Sequence, residues 1–518
     1  MGLGAAGWLG PVSPDFSDKL PGGLSLDRAL QDVRDIAEEP HPAGGEANAR
    51  VRRLILERMR GLGLESKDNE TLLLDQGGIS LHNLTALIRG RSSTGTVVLA
   101  AHYDSRPEAP GAADDGASVA AILEALRVLS IGPPLRNDLL VLFTDGEELG
   151  MDGAESFVAQ TTLAPAETLV LNFEARGSCG PSILFETSEG NGRLITEALA
   201  AAPWPVASSL TQAVYRLLPN DTDLSVFKKH GFAGLNFAFI DGVWNYHTAR
   251  DSPENLSITS LQHQCSHALS LARRFGDLED PARREPNVIY FNVLGPYCII
   301  LPGVSVLPLT GLATVLLLGL CWREVRRGRA SVRGVRSGLT ALARASMHGV
   351  GFPALIFGVG SLVAKLVFGF RGSVPWSGFP AHASFIFALS LCVIALIRGH
   401  HRVEKLTAAE VHLGALSFLL CLLWVATIAL PGATPYLFWP LLLGTLSSSV
   451  ACGPGKSRAR RVLAFVLTLP IPLLLGPLAY LLFLGMAHQI FLAVLATGCA
   501  IAIWCAALPT MLSTSTDS

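Results

Sequence analysis

The strongest constraint on this chain is a change of character near residue 290. Before it, charged and apolar residues are mixed as in a water-soluble domain. Beyond about residue 292, long apolar runs alternate with short basic loops. A helix needs about 20 apolar residues to cross the hydrocarbon core of a bilayer. Backbone in lipid must satisfy its own hydrogen bonds, so such runs are read as helices. Candidate spans fall at 293–322, 349–370, 381–398, 411–430, 436–452, 462–484 and 488–508, about seven helices. The sixth contains Pro470, Pro472 and Pro477, which predict kinks or a break into two shorter pieces. Lys365 lies near one end of its span and reads as a snorkelling side chain rather than part of a polar path.

Arginines orient these spans. The loops WREVRRGRASVRGVRSG, RGHHRVEK and KSRARR are basic, whereas FRGSVPWSGFP, PGATP and GMAHQ hold almost no positive charge. Their alternation follows the positive-inside rule. It places the loop from Trp322 in the cytoplasm and the preceding domain on the other side: periplasm, cell exterior or organelle lumen. The opening MGLGAAGWLGPVSPDFSDKL lacks a charged region followed by an apolar one, so it does not read as a signal peptide. The expectation is a further span upstream, the alternative being translocation driven by the first span.

The domain reading is therefore a poorly defined segment 1–24, a soluble domain 25–285 and an all-α polytopic membrane domain 286–518. The formal net charge of −2 gives no reason to expect a nucleic-acid partner. The nine cysteines form no CxxC pair, and Cys179 and Cys265 in the soluble domain read as two unrelated thiols rather than a disulfide. Four Asn-x-Ser/Thr sequons, at Asn69, Asn83, Asn220 and Asn255, matter only in a glycosylating host.

Within the soluble domain, TVVLAAHYDS, DLLVLFTDGEELG, ETLVLNFEARGS and FAGLNFAFIDG are apolar runs ending in polar residues, the pattern of buried strands. Helical patterns such as ASVAAILEALRVLS separate them, which predicts an α/β domain with a largely parallel sheet. In such sheets ligands bind beyond the carboxyl ends of the strands. There the sequence places His102 and Asp104, the pair Asp114 and Asp115 before a helix, Glu147 and Glu148, Glu174, and His247 with Asp251. A single such residue reads as structural, and an aspartate before a helix as an N-cap. Repeated placement at one edge points instead to a divalent metal. Two histidines with several carboxylates and no thiolate favour zinc, and the surplus of carboxylates admits two ions.

The ordered series HYD, AADDGAS, DGEELG, NFEARG and YHTARDSPENL resembles the family-28 metallopeptidases over roughly residues 25–280. Within that family it is most similar to the membrane-bound branch, where a peptidase domain precedes many spans. The resemblance implies a three-layer αβα fold with a mixed, mostly parallel sheet. It also implies two zinc ions per chain, a peptide substrate and aminopeptidase-type hydrolysis by a metal-activated water. Carried over residue by residue, His102 and Glu174 match the ligands of one ion, and His247 and Glu148 those of the other. Asp114 matches the carboxylate bridging both, with a cis peptide expected between Asp114 and Asp115. Glu147 matches the general base, and Asp104 the carboxylate that orients His102. Asp115 is left to shape the turn.

Roles for Tyr246 (oxyanion donor or packing), Asp221 and Asp223 (amine binding or a solvated turn) and Arg176 (pairing with a site carboxylate or with a substrate carboxylate) stay open. Weighed against the enzyme are a scaffold that has lost its activity, a glutaminyl cyclase or carboxypeptidase on the same fold, and a transporter with a metal-binding domain.

Overall fold

The computed structural model describes residues 23–73, 78–216, 220–293, 295–346, 406–451 and 458–485. The candidate spans 349–370, 381–398 and 488–508, with Lys365, lie outside the described residues. The chain divides into two compact units, one spanning Pro11–Pro302 and the other including everything from Gly303 onward.

The first unit is built on one eight-stranded sheet. Its strands are β1 (Ser66–Leu73), β2 (Ile79–Ile88), β3 (Thr96–His102), β4 (Asp138–Thr144), β5 (Thr168–Ala175), β6 (Ile183–Thr187), β7 (Val206–Ala207) and β8 (Ala233–Phe239). Their order across the sheet is β1-β2-β4-β3-β5-β8-β6-β7. The four strands read from the sequence are the centre: β4, β3, β5 and β8 all pair in parallel. The flanks are antiparallel where β1 meets β2, β2 meets β4, and β6 meets β8. The sheet is mixed, with a parallel core.

Side-chain alternation explains the layers. Val97, Leu99 and Ala101 face a core shared with Ala120, Leu123 and Leu126 of helix Ser118–Ser130 and Leu261 and Leu269 of helix Ile258–Asp277. Val98 and Ala100 face the opposite layer, with Ala154, Leu224 and Phe227. Because both faces are covered, the central strands are apolar throughout rather than alternating. Truncating such a residue, as in Leu171→Ala, costs about 2–5 kcal/mol.

One expectation fails at the domain boundary. The first candidate span was read from residue 293, yet residues 288–302 form a hairpin of β9 (Val288–Val293) and β10 (Tyr297–Pro302). The first unit therefore runs to Pro302, beyond the 285/286 boundary. Hydropathy alone does not separate an apolar hairpin from the start of an apolar helix. The Gly295-Pro296 dipeptide was the available signal, and Gly295 sits at φ 76 in the turn.

Among the described residues of the second unit, three stretches are long and apolar enough to cross a membrane: Gly303–Arg326, Ala409–Ala429 and Arg458–Gly476. A further helix, Thr434–Ala451, occupies the fifth candidate span. The break expected near Pro470 is present: one helix ends at Val466 and the next begins at Pro470. Ser331 N–H and Oγ–H donate to Glu410 Oε1 at 2.9 and 2.8 Å, tying the basic loop after Arg326 to the start of helix Ala408–Ala429. Arg323 Nη2 reaches Ser449 O at 3.5 Å, near the end of helix Thr434–Ala451. Arg323 and the end of helix Thr434–Ala451 thus share one end of this unit.

Candidate metal centre

The site grows from the carboxyl edge of the sheet. His102 closes β3, Glu174 lies near the end of β5, and Glu147 and Glu148 open a one-turn helix just after β4. His247 lies in the loop after β8, in the left-handed region at φ 56. Asp114 and Asp115 occupy the turn before helix Ser118–Ser130. Glycines permit that turn. Gly111 sits at φ 74, and a Cβ on it would lie 2.8 Å from Ser105 Cβ. A Cβ on Gly116 would lie 2.7 Å from Gly111 O. The Asp114–Asp115 peptide is cis.

Asp114 lies between the two imidazoles. Its Oδ1 is 3.3 Å from His102 Nε2 and its Oδ2 is 3.1 Å from His247 Nε2. Glu174 Oε2 lies 3.7 Å from His102 Nε2, and Glu148 Oε1 lies 3.0 Å from His247 Nε2. His102 Nδ1 is 3.0 Å from the Asp104 carbonyl, which only accepts, so Nδ1 carries the proton. The Nε2 lone pair is thereby turned to the carboxylates. Asp104 does more than orient His102: its carboxylate accepts from the N–H groups of Glu147 and Glu148, both at 3.1 Å.

Among the described residues, two groups of side chains converge closely enough to hold a cation each: His102 with Asp115 and Glu174, and Asp114 with Glu148 and His247. Asp115 thus stands nearer the first group than a purely turn-shaping residue would. Its Oδ2 accepts from His102 N–H at 3.3 Å, while its Oδ1 is buried without a hydrogen-bond partner among the described residues. Glu148 Oε1 and His247 Nε2 are orphaned in the same way. Glu147 belongs to neither group.

The electrostatics tell the same story. Burial pushes Asp114 up, but the close contacts with His102 and His247 outweigh it and hold its carboxyl below the ordinary range. Burial pushes His247 down, and contact with Asp114 and Glu148 reverses this, raising it to about 9. Glu147 and Glu174 are pushed well up, by burial first and then by neighbouring carboxylates. Carboxylates outnumber imidazoles among these mostly buried side chains. Orphaned oxygen and nitrogen atoms converging at this charge imbalance fit divalent metal ions, and a donor set of imidazole and carboxylate suits zinc.

Several supporting residues were not assigned from the sequence. Asp251 was placed at this edge without a role. Its carboxylate accepts from Ala113 N–H at 2.7 Å and Asp114 N–H at 3.1 Å, so it clamps the turn. Asn172 Nδ2 donates to Glu174 Oε1 at 3.0 Å. Arg106 Nε lies 3.3 Å from Glu148 Oε2, and its Nη1 donates to Glu148 O at 3.0 Å. The period-2 spacing of Asn172 and Glu174 in β5 was the one readable hint.

The open residues separate. Asp221 is exposed, whereas Asp223 is buried and its carboxylate accepts from Thr144 Oγ1. Asp223 is therefore not a solvated turn residue. Asn220, with its amide oxygen turned to Arg176, accepts from both guanidinium ends at 2.8 and 3.2 Å. The Tyr246 ring stacks on His247 at 3.7 Å between centroids. Burial, and then Asp114 and Glu148, hold its phenol well above the ordinary range, so it stays a proton donor. Among the sequons, Asn83 is buried and Asn69 and Asn255 are exposed. Cys179 and Cys265 are free thiols.

Comparison with known proteins gives these positions a family. Residues 83–272 match the model for Peptidase family M28. Endoplasmic reticulum metallopeptidase 1 of Mus musculus is 30% identical over 252 residues, covering 46% of this chain and 28% of its own length. The vacuolar membrane protease of Candida albicans is 31% identical over 280 residues, covering 52% of this chain and 32% of its own. The chain thus spans under a third of the length of these curated relatives. Among solved structures, a zinc aminopeptidase from Bacillus subtilis aligns at 16% identity and a TM-score of 0.41, covering 49% of this chain and 95% of its own. A glutaminyl cyclase from Porphyromonas gingivalis aligns at 18% and 0.40, covering 48% of this chain and 96% of its own. The stretch that matches Peptidase family M28, residues 83–272, contains the parallel centre of the sheet and the histidines and carboxylates of the candidate metal centre.

Proposed function

We propose that this chain is a membrane-anchored metallopeptidase that holds two zinc ions and removes amino-terminal residues from peptides. The observation that carries the proposal is Asp114, whose two carboxylate oxygens each lie against a different imidazole. A carboxylate so placed suits a bridge between two cations. His102 and Glu174 would hold one ion, and His247 and Glu148 the other. Zinc bound there would supply a more acidic water and polarisation of the scissile carbonyl.

The chain's own residues do the rest. Glu147 takes a proton from the attacking water and returns it to the leaving amine. Asp104 grips the N–H groups of Glu147 and Glu148, keeping the base beside the metal ligands. The Tyr246 phenol, kept protonated by its acidic surroundings, is placed to donate to oxygen that gains charge. The aminopeptidase specificity rests on the family resemblance.

The apolar helices support a multi-pass anchor, and the alternation of basic and neutral loops in the sequence supports a cytoplasmic end at the loop from Trp322. The peptidase unit then faces the periplasm, the cell exterior or an organelle lumen. Purified full-length chain is assayed on aminoacyl reporters with and without chelator, alongside zinc content per chain. Two zincs in the wild type, and one or none in Asp114→Asn, are expected. Undiminished hydrolysis by Glu147→Gln would overturn the assignment. A chain that binds zinc yet hydrolyses no peptide would be a scaffold instead.

A further inference from the structure

The loop at Trp204 is strained, exposed and held from both sides. Trp204 adopts φ 52, a region where non-glycine residues are uncommon and which costs on the order of 1–3 kcal/mol. Its side chain is nevertheless 39% exposed, so local burial does not explain the conformation. The neighbours do. Pro203 O accepts from two buried imidazoles, His263 Nε2 at 3.1 Å and His267 Nε2 at 3.0 Å. Pro205 O accepts from Asn292 Nδ2 at 2.8 Å. The backbone is clamped one residue before and one residue after the tryptophan.

The same asparagine joins this loop to the β9–β10 hairpin. Asn292 Nδ2 also donates to Gly295 O at 3.0 Å, and its Oδ1 accepts from Ala207 N–H at 2.7 Å. A Cβ on Gly295 would lie 3.7 Å from Trp204 Cζ2, so the indole lies against the hairpin turn. Just past that turn, Tyr297 is 70% exposed. Two large aromatic rings therefore stand on adjoining loops. Tyr297 opens β10, which ends at Pro302, and Gly303 begins the first apolar helical stretch. At about 3.3 Å per residue, the strand keeps Tyr297 within about 20 Å of that stretch.

We infer that Trp204 and Tyr297 form an aromatic foot that seats the peptidase unit in the head-group layer of the bilayer. The inference rests on reading Gly303–Arg326 as a membrane span. Tryptophan and tyrosine are the residues that favour this layer, with an apolar ring and a polar tip. The clamps on Pro203 and Pro205 keep the ring presented rather than folded back.

The test reconstitutes the full chain in nanodiscs of phosphatidylcholine brominated either near the head group or near the acyl terminus. Wild-type emission minus that of Trp204→Phe reports Trp204 alone. Quenching by shallow bromine, with much less by deep bromine, is the expected result. Trp424, inside stretch Ala409–Ala429, is isolated in the same way through Trp424→Phe. Its quenching tests the membrane reading separately. Trp204 emission untouched by bromine while Trp424 is quenched overturns the foot alone, whether water or a second copy of the chain covers the ring. Should Trp204→Phe fold poorly, Tyr297→Trp adds a new emitter, and the same shallow quenching is expected of it.

Discussion

The two halves of the candidate metal centre are made differently. His102 and Glu174 sit on neighbouring strands, with side chains only 1% and 7% exposed. His247 and Glu148 sit on a loop and a single helical turn, and the His247 side chain is 28% exposed. The inner pair inherits its geometry from the parallel register of β3 and β5. The outer pair depends on hydrogen bonds between loops, as where Asp104 holds the Glu148 N–H and Arg106 the Glu148 carbonyl. The contrast assigns rigidity to the inner position and access for exchange and substrate to the outer one.

The largest expected effect removes the residue the halves share. Asp114→Asn deprives both imidazoles of their common carboxylate, and zinc content and hydrolysis should both collapse. Glu147→Gln should match that loss of rate, about 10²–10⁴-fold, while zinc content is unchanged. Elemental analysis beside initial rates separates the two. Next comes the contrast between halves. His247→Ala should lose one ion and keep a folded unit, and brief chelation of wild type should remove that same ion first. His102→Ala should lower the melting temperature as well, because it opens a void in a fully buried position. Equal exchange rates for the two ions would dissolve the proposed asymmetry.

Smaller effects come from the supports. Asp251→Asn weakens the clamp on Ala113 and Asp114, and Arg106→Gln removes the cation beside Glu148. Such partners are worth about 10–100-fold in metal affinity or activity. The Arg106 side chain is 41% exposed, so its effect belongs at the low end. Zinc titration of each variant against wild type checks the order.

The same contrast explains what was legible in the sequence. His102 and Glu174 close apolar runs that only a buried parallel strand accommodates, so their common edge followed from pattern alone. Asp114 and His247 lie in turns, where spacing carries no direction; the strand pattern put them at the same edge, but only the family resemblance suggested that Asp114 bridges the two halves. Asp251 and Arg106 act through hydrogen bonds to main chain and carboxylate brought together by the fold. Asp251 lies far from Asp114 in sequence, and neither residue's contact has a periodic signature. The β9–β10 hairpin was lost for a different reason. Its strands are as apolar as the helix that follows, and a hydropathy reading merges them.

The smallest effect concerns the scaffold beneath the inner half. Helix Ile258–Asp277 carries Gln264, whose Nε2 donates to Glu174 O at 3.2 Å. It also carries His263 and His267, both fully buried. Burial lowers His267 from 6.5 to about 4, and burial with the neighbouring His267 holds His263 well below its ordinary value. His263 Nδ1 accepts from Ser182 N–H at 3.1 Å, which a protonated ring cannot do. The folded state thus prefers both rings neutral, while the unfolded chain takes up protons near pH 6.5. Stability from these groups is complete above that pH and declines as pH falls toward about 4. Each contributes a slope of at most about 1.4 kcal/mol per pH unit. Melting of wild type and His267→Phe between pH 7 and 4 reads this directly. The variant should show a shallower decline, with zinc content at neutral pH unchanged. Parallel pH profiles would mean that the helix under Glu174 tolerates charge, and that the inner half owes its rigidity to the strands alone.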